Sequence, residues 1–147
     1  MHDASDPSAD LVDRFGRRVS YLRLSVTDRC DLRCTYCMAE RMKFLPKSEV
    51  LTLEELEEVA SAFIDRGVKK IRITGGEPLV RPGILQLFQN LGRRLDTGLD
   101  ELTLTTNATQ LGRYASDLKN AGVKRINVSL DSRSSSTFEQ VTRSLDG

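Results

Sequence analysis

Histidine and tryptophan are nearly missing from this sequence of 147 residues, which has one histidine, His2, and no tryptophan. A metal site built from several histidines is therefore excluded. An excess of one charge is missing too, because the formal net charge is +1 although 29% of the residues are charged. This balance argues against nucleic acid or a membrane surface as the partner, so an anionic ligand must be held by a few placed arginines.

Long apolar runs are also missing. No stretch approaches the ~20 apolar residues that are needed to span a bilayer. The start of the chain is polar and acidic, which is unlike a secretory signal. The sequence therefore predicts a cytoplasmic protein with a polar leader over residues 1–16 and a core domain over residues 17–147.

The core domain alternates between strand patterns and helix patterns. Thr52 and Glu55 have the spacing of a capping box at the start of the first helix, and Gly67 stands where a left-handed residue ends it. The alternation predicts an α/β fold with a parallel sheet and right-handed crossovers. Since four strands do not close a barrel, we expect a truncated part of a longer protein. Strands are predicted at 21–26, 70–74, 101–106 and 124–130, and helices at 53–66, 82–95, 111–120 and 136–145.

Unusual sequences stand at the carboxyl ends of the predicted strands. Gly-Gly-Glu-Pro stands at 75–78, Thr-Thr-Asn at 105–107 and Ser-Leu-Asp at 129–131, and a cysteine-containing loop follows the first strand. Parallel sheets bind ligands beyond the carboxyl ends of their strands. We therefore expect the functional site at this edge of the sheet.

All three cysteines, Cys30, Cys34 and Cys37, fall within eight residues. Thiolates are suitable ligands for iron–sulfur clusters and for zinc. A cubane cluster has four irons and this loop offers three thiolates, so the spacing predicts a [4Fe–4S] cluster with one iron open to another ligand. The amino and carboxylate groups of S-adenosylmethionine (SAM) can take that position, and one electron then releases a 5′-deoxyadenosyl radical.

Three other interpretations of these cysteines stay open on the residues alone. A zinc site needs a fourth ligand, and the single histidine lies in the leader. A disulfide with one free thiol conflicts with the odd count and with the cytosolic character of the chain. Three buried structural cysteines are the simplest alternative.

The motif Cys-x-x-x-Cys-x-Tyr-Cys resembles the signature of radical SAM enzymes. Further segments resemble the GTP 3′,8-cyclase family, which acts in the first step of molybdenum cofactor biosynthesis, and the similarity runs from about Leu11 to the end of the chain. It implies that the sheet forms the N-terminal four βα units of a partial (β/α)6 radical SAM barrel. The segments are 15–17, 21–30, 44–47, 71–79, 104–107 and 125–131.

The resemblance also implies roles for single residues. The three cysteines are implied to bind the cluster, and no catalytic side chain beyond these ligands is implied. Glu77 is a candidate hydrogen-bond acceptor near SAM, or else a carboxylate that stabilises a turn. Ala108 stands where the family usually has glycine, which argues against a left-handed turn at this position. The implied SAM contacts are Tyr36, Gly76 and Ser129, and the implied GTP contacts are Arg23, Arg72 and Thr105.

Cofactors and partners follow from the same resemblance. Full-length members hold a second [4Fe–4S] cluster on three further cysteines, and this sequence has no cysteine after Cys37. We therefore expect the chain to be inactive alone. The implied partners are SAM, GTP, a reducing electron donor, a downstream cyclic pyranopterin monophosphate synthase and, for the full-length enzyme, a second copy. Another radical SAM enzyme and a non-catalytic iron–sulfur remnant are the alternatives.

Overall fold

Four parallel strands form the centre of the fold. The computed structural model describes residues 10–32 and 43–129, and in this part the strands follow one another in the sheet in chain order. A helix lies between each pair of strands that are consecutive along the chain, which confirms the predicted α/β fold. The strands are β1 (Tyr21–Ser25), β2 (Lys70–Thr74), β3 (Glu101–Thr106) and β4 (Ile126–Val128), and the helices are α1 (Leu53–Asp65), α2 (Ile84–Gly92) and α3 (Leu111–Asn120).

The boundaries of the first three strands and of α1 and α3 agree with the predictions to within one residue. Both ends of α2 differ from the prediction of 82–95, because the helix spans Ile84–Gly92. Gly83 adopts a left-handed conformation with φ of 78°, so the helix begins only after it and Pro82 precedes the helix. β4 is also shorter than predicted. The predicted helix at 136–145 lies outside the described residues.

The start of α1 has the predicted capping box. The Thr52 hydroxyl accepts a hydrogen bond from the Glu55 backbone N–H at 3.1 Å, and the Glu55 carboxylate accepts one from the Thr52 N–H at 2.8 Å. Gly67 has φ of 97°, which a side chain would strain, so the helix ends where the sequence indicated. The capping box and Gly67 thus determine where α1 begins and where it ends.

The two faces of the sheet have different environments because successive strand residues point in opposite directions. One face packs against the helices and forms an apolar core, in which Ile71, Ile73 and Leu104 are fully buried against residues such as Ala60 and Phe88. The opposite face has polar and charged side chains from each strand. The fold therefore has a polar surface directly beside the strand ends.

Residues 10–19 fold back on themselves before β1. Val12 pairs in antiparallel fashion with Arg18, and the Leu11 N–H donates to the Arg66 carbonyl oxygen at the end of α1 over 3.2 Å. The last residues of the predicted leader are thus bonded to the core, and the position of the domain boundary stays a prediction. Within residues 10–32 and 43–129, no helix combines the length and the apolar character needed to cross a membrane.

Candidate functional site

Gly75 and Gly76 pack against the backbone that leads into the cysteine loop. The Gly76 N–H donates to the Thr27 carbonyl oxygen and the Glu77 N–H to that of Arg29, both over 2.8 Å. A Cβ atom on Gly76 would overlap the Arg29 carbonyl group, with 2.7 Å to its carbon. The glycine pair is therefore required to bring the end of β2 against residues 27–29. Contact of Gly76 with SAM stays a prediction.

Glu77 is a buried carboxylate between two strand ends, and its side chain is 1% exposed. Its Oε1 accepts hydrogen bonds from the Thr106 hydroxyl at 2.7 Å and from the Leu79 N–H at 3.1 Å, while Oε2 accepts one from the Asn107 N–H at 2.7 Å. The carboxylate thus joins the turn after β2 to the turn after β3. These contacts correspond to the turn-carboxylate interpretation of Glu77.

Burial raises the pKa of the Glu77 carboxyl, and the hydrogen bonds from Asn107, Thr106 and Leu79 offset only part of the increase. Since the pKa is higher in the folded chain than in the unfolded chain, the folded state binds this proton more tightly. The contribution of Glu77 to stability therefore grows as the pH falls through the raised pKa, and it levels off below the unfolded value of about 4.3.

We expect the wild-type chain to gain stability relative to Glu77→Gln as the pH falls from neutral to about 4.3. The glutamine does not titrate, so the difference in unfolding free energy isolates this carboxyl from the others. Urea unfolding at several pH values measures that difference. A difference that stays constant or shrinks on acidification would contradict a raised pKa.

Cys30 lies at the same edge of the sheet and is half-buried. Its Sγ atom accepts hydrogen bonds from the Leu32 N–H at 3.5 Å and from the Asn107 side-chain amide at 3.7 Å. Two N–H donors directed at sulfur stabilise a thiolate, so the environment of Cys30 fits a cluster ligand. The other two predicted ligands, Cys34 and Cys37, and the predicted SAM contact Tyr36 lie outside the described residues.

Two side chains that the sequence analysis did not single out fix the segments on either side of residues 33–42. The Asp28 carboxylate accepts a hydrogen bond from the Leu45 N–H at 2.7 Å. The Arg81 guanidinium donates to the Val26 carbonyl oxygen at 2.5 Å and to that of Leu51 at 2.6 Å. A charged residue in a loop gives no sequence signal for such a role, because its partners are backbone atoms far along the chain.

The predicted GTP contacts lie on the polar face of the sheet. Arg23 on β1 and Arg72 on β2 are direct neighbours in the strand register, and Arg72 is the neighbour of Thr103 on β3. Thr105 lies two residues further along β3 and thus on the same face. The buried Nε of Arg72 has no hydrogen-bond acceptor in the described part of the chain. The fold therefore brings these residues together, while their contact with GTP stays a prediction.

Ser129 follows β4 and donates its backbone N–H to the Thr106 carbonyl oxygen over 2.9 Å. Its side chain is at the same edge of the sheet as Gly76 and Cys30, at the end of a different strand. The SAM contact assigned to it stays a prediction.

The expectation that alanine at position 108 argues against a left-handed turn was wrong. Ala108 has φ of 68°, because the turn is held by hydrogen bonds on both sides of it. Its own N–H donates to the Thr106 hydroxyl, and the Thr109 N–H donates to the Asn107 side chain. These bonds keep an L-residue in a conformation that favours glycine.

We expect Ala108→Gly to stabilise the chain by about 0.5–1 kcal/mol, since it removes the left-handed strain at a small cost in backbone entropy. Urea unfolding measures the change. Ala62→Gly, on an exposed position of α1, is the matched control and should destabilise the chain by a similar amount. Destabilisation by Ala108→Gly would contradict the strain.

Comparison with known proteins finds a matching family and several similar proteins. Residues 24–145 match the family model described as the radical SAM superfamily. The chain is 62% identical over 136 residues to a GTP 3′,8-cyclase of Erythrobacter litoralis, covering 92% of this chain and 41% of the relative. It is 59% identical over 140 residues to a GTP 3′,8-cyclase of Agrobacterium fabrum, covering 95% of this chain and 40% of that relative. It therefore spans about two fifths of the length of these relatives.

A solved structure has the same fold. The Streptococcus suis protein SuiB, bound to the precursor peptide SuiA, superimposes on 86% of this chain and on 27% of its own chain with a TM-score of 0.65 and 21% sequence identity. At this identity the likeness concerns the fold alone. The family match over residues 24–145, which is most of the chain, shows that the chain belongs to the radical SAM superfamily.

Proposed function

We propose that this chain provides the SAM-cleaving part, and one side of the GTP site, of a GTP 3′,8-cyclase. Such an enzyme converts GTP to (8S)-3′,8-cyclo-7,8-dihydroguanosine 5′-triphosphate in molybdenum cofactor biosynthesis. The observation that carries the proposal is the sequence identity of about 60% to several GTP 3′,8-cyclases over more than nine tenths of the chain. The site residues support it, because a polar, arginine-containing sheet face lies beside the cysteine loop.

In the proposed reaction, Cys30 holds the cluster together with Cys34 and Cys37. When bound, the cluster would supply one electron for the reductive cleavage of SAM, and SAM would supply the radical chemistry at the ribose of GTP. Gly75 and Gly76 pack against residues 27–29, directly before Cys30, and so hold this segment at the edge of the sheet. Cleavage of SAM and binding of substrate thus occur at neighbouring positions.

Arg72 is the residue of the polar face most suited to an anionic or carbonyl group of the substrate. Its buried Nε has no acceptor among the described residues, and its guanidinium lies over the Tyr21 ring with 5.7 Å to the centroid. A guanidinium fork matches phosphate oxygens and carbonyl edges. GTP would supply the missing acceptor, and Arg23 on the neighbouring strand would add a second positive charge.

The remaining parts of the reaction belong to the proposal as well. A second cluster on downstream cysteines, a reducing electron donor and a cyclic pyranopterin monophosphate synthase that consumes the product are expected for the full-length enzyme. Homodimer formation by that enzyme and a cytoplasmic location are also predictions.

The proposal is tested with a chimera in which this chain replaces the matching part of the Erythrobacter litoralis relative. After anaerobic reconstitution, the chimera with SAM, GTP and dithionite should give the cyclic product by mass spectrometry. Arg72→Ala should lower kcat/KM for GTP by about 10- to 100-fold, because a charge-assisted contact is lost. Arg113→Ala, on the exposed side of α3, is the control and should leave it unchanged.

Two outcomes would contradict the proposal. A chimera that cleaves SAM to 5′-deoxyadenosine but leaves GTP unchanged would indicate another radical SAM reaction. A folded chimera whose first cysteine loop takes up no iron would indicate a non-catalytic remnant.

A further inference from the structure

The side-chain amide of Asn107 lies between two acceptors at the start of the cysteine loop. Its Nδ2 atom is 2.8 Å from the Asp31 carboxylate oxygen Oδ1 and 3.7 Å from the Cys30 Sγ atom. An amide nitrogen carries two hydrogens, so one can be directed at each acceptor. The Asp31 Oδ1 atom is itself 3.9 Å from the Cys30 Sγ atom.

The orientation of this amide is determined by its other end. The Asn107 Oδ1 atom accepts a hydrogen bond from the Thr109 N–H at 3.0 Å. An N–H group can only donate, so the amide oxygen must face Thr109 and the amide nitrogen must face Cys30 and Asp31. The reverse orientation would direct donors at a donor and an oxygen at the sulfur.

The backbone of Asn107 is held by a buried side chain. Its backbone N–H donates to the buried Glu77 carboxylate over 2.7 Å, and Glu77 also accepts from Thr106. Thr109 in turn donates its hydroxyl to the second carboxylate oxygen of Asp31. The backbone N–H, the amide oxygen and the amide nitrogen of Asn107 thus each have a partner, in Glu77, Thr109 and Asp31, and none of these contacts involves a cluster.

The charges around Cys30 change when it becomes a ligand. A thiolate cannot donate a proton to Asp31, so the sulfur and the carboxylate become two neighbouring negative groups. The Asn107 amide, which donates to both, then reduces their repulsion. Hydrogen bonds to cluster sulfurs and nearby charge determine how easily a cluster accepts an electron.

We propose that Asn107 and Asp31 are positioning residues that set the reduction potential of the Cys30-bound cluster in opposite directions. The Asn107 amide makes reduction easier by donating to the sulfur, and the Asp31 carboxylate makes it harder through its negative charge. The inference rests on the proposed function in one respect, since it requires that Cys30 binds the cluster.

The test measures the reduced fraction of the reconstituted chain by electron paramagnetic resonance at a series of fixed ambient potentials. For Asn107→Ala we expect a three- to tenfold lower ratio of reduced to oxidised cluster at a given potential; tenfold corresponds to about 59 mV for one electron. For Asp31→Asn, which removes the charge and keeps the shape of the side chain, we expect a higher ratio. Asn120→Ala, on the exposed side of α3, is the control and should have the wild-type ratio.

A wild-type ratio in Asn107→Ala, or a ratio in Asp31→Asn that is unchanged or lower, would overturn the inference. If Asn107→Ala takes up too little iron for titration, the direction of the Asp31→Asn shift decides. The inference needs only one part of the proposed function, cluster binding by Cys30, and failure of that part looks different, because the wild-type chain itself would then give no cluster spectrum. A chain that binds the cluster but does not act on GTP would contradict the proposed function and leave the inference testable. Shifts of the same sign in both variants would indicate a general disturbance of the loop and would also overturn the inference.

Discussion

Replacing Glu77 by alanine should destabilise the chain by about 3–5 kcal/mol, the largest effect that we expect from a single polar side chain here. The carboxylate is buried and accepts three hydrogen bonds, from Thr106, Asn107 and Leu79. Alanine would leave all three donors buried without their partner. Since domains of this size are stable by about 5–15 kcal/mol, such a loss would remove much of the stability. Urea unfolding measures it.

Two further variants separate the contribution of these hydrogen bonds from a general effect of substitution. Glu77→Gln keeps the volume but turns an N–H group towards at least one of the donors, so it should cost about 1–3 kcal/mol. Glu58→Ala, at an exposed position of α1, should change the stability by less than about 0.5 kcal/mol. If Glu77→Ala were as mild as Glu58→Ala, the joining of the two turns by Glu77 would be disproved.

Gly76→Ala should lower both the stability of the chain and its capacity to hold a cluster. A Cβ atom at this position overlaps the Arg29 carbonyl group and lies 3.1 Å from the Asp28 carbonyl oxygen. These are backbone atoms directly before Cys30, so relief requires a shift of the cysteine loop. We expect a cost of about 1–3 kcal/mol, as for other overpacked sites, and a lower iron content after reconstitution under conditions in which the chain remains folded.

Gly112→Ala is the matched control for this prediction. Apart from its chain neighbours and the nearby backbone of α3 itself, a Cβ atom on Gly112 would meet no atom within 4 Å, and the residue lies in the first turn of α3. Alanine there should stabilise the chain by about 0.4–1 kcal/mol and leave the iron content unchanged. The same substitution should therefore have opposite effects at the two positions. Wild-type iron content and stability in Gly76→Ala would contradict the close packing of β2 on residues 27–29.

The fold was largely predictable because its signals are local. Apolar residues recur at strand and helix spacings, Thr52 and Glu55 form the capping box that their spacing indicated, and Gly67 ends α1. The start of α2 was missed because Pro82 is compatible with a first helical turn, whereas the left-handed conformation of Gly83 depends on its surroundings. A glycine in a loop does not reveal the sign of its φ angle.

The site was predictable to a different extent. Parallel topology places the carboxyl ends of all strands at one edge, so the location of Gly76, Cys30 and Ser129 at that edge followed from the order of elements. The specific contacts did not follow. Nothing local in the sequence shows that Glu77 binds the turn after β3, or that Asn107 faces Cys30, since these pairs are 30 and 77 residues apart.

We propose that Cys30, Cys34 and Cys37 hold a [4Fe–4S] cluster with one iron open to SAM. Anaerobic reconstitution of the chain with iron and sulfide, followed by electron paramagnetic resonance of the dithionite-reduced sample with and without SAM, tests it most directly. We predict about four irons and four sulfides per chain, a reduced-cluster spectrum that changes when SAM is added, and loss of the cluster in Cys30→Ala. Stoichiometric zinc in place of iron, or a cluster spectrum that SAM leaves unchanged, would contradict the claim.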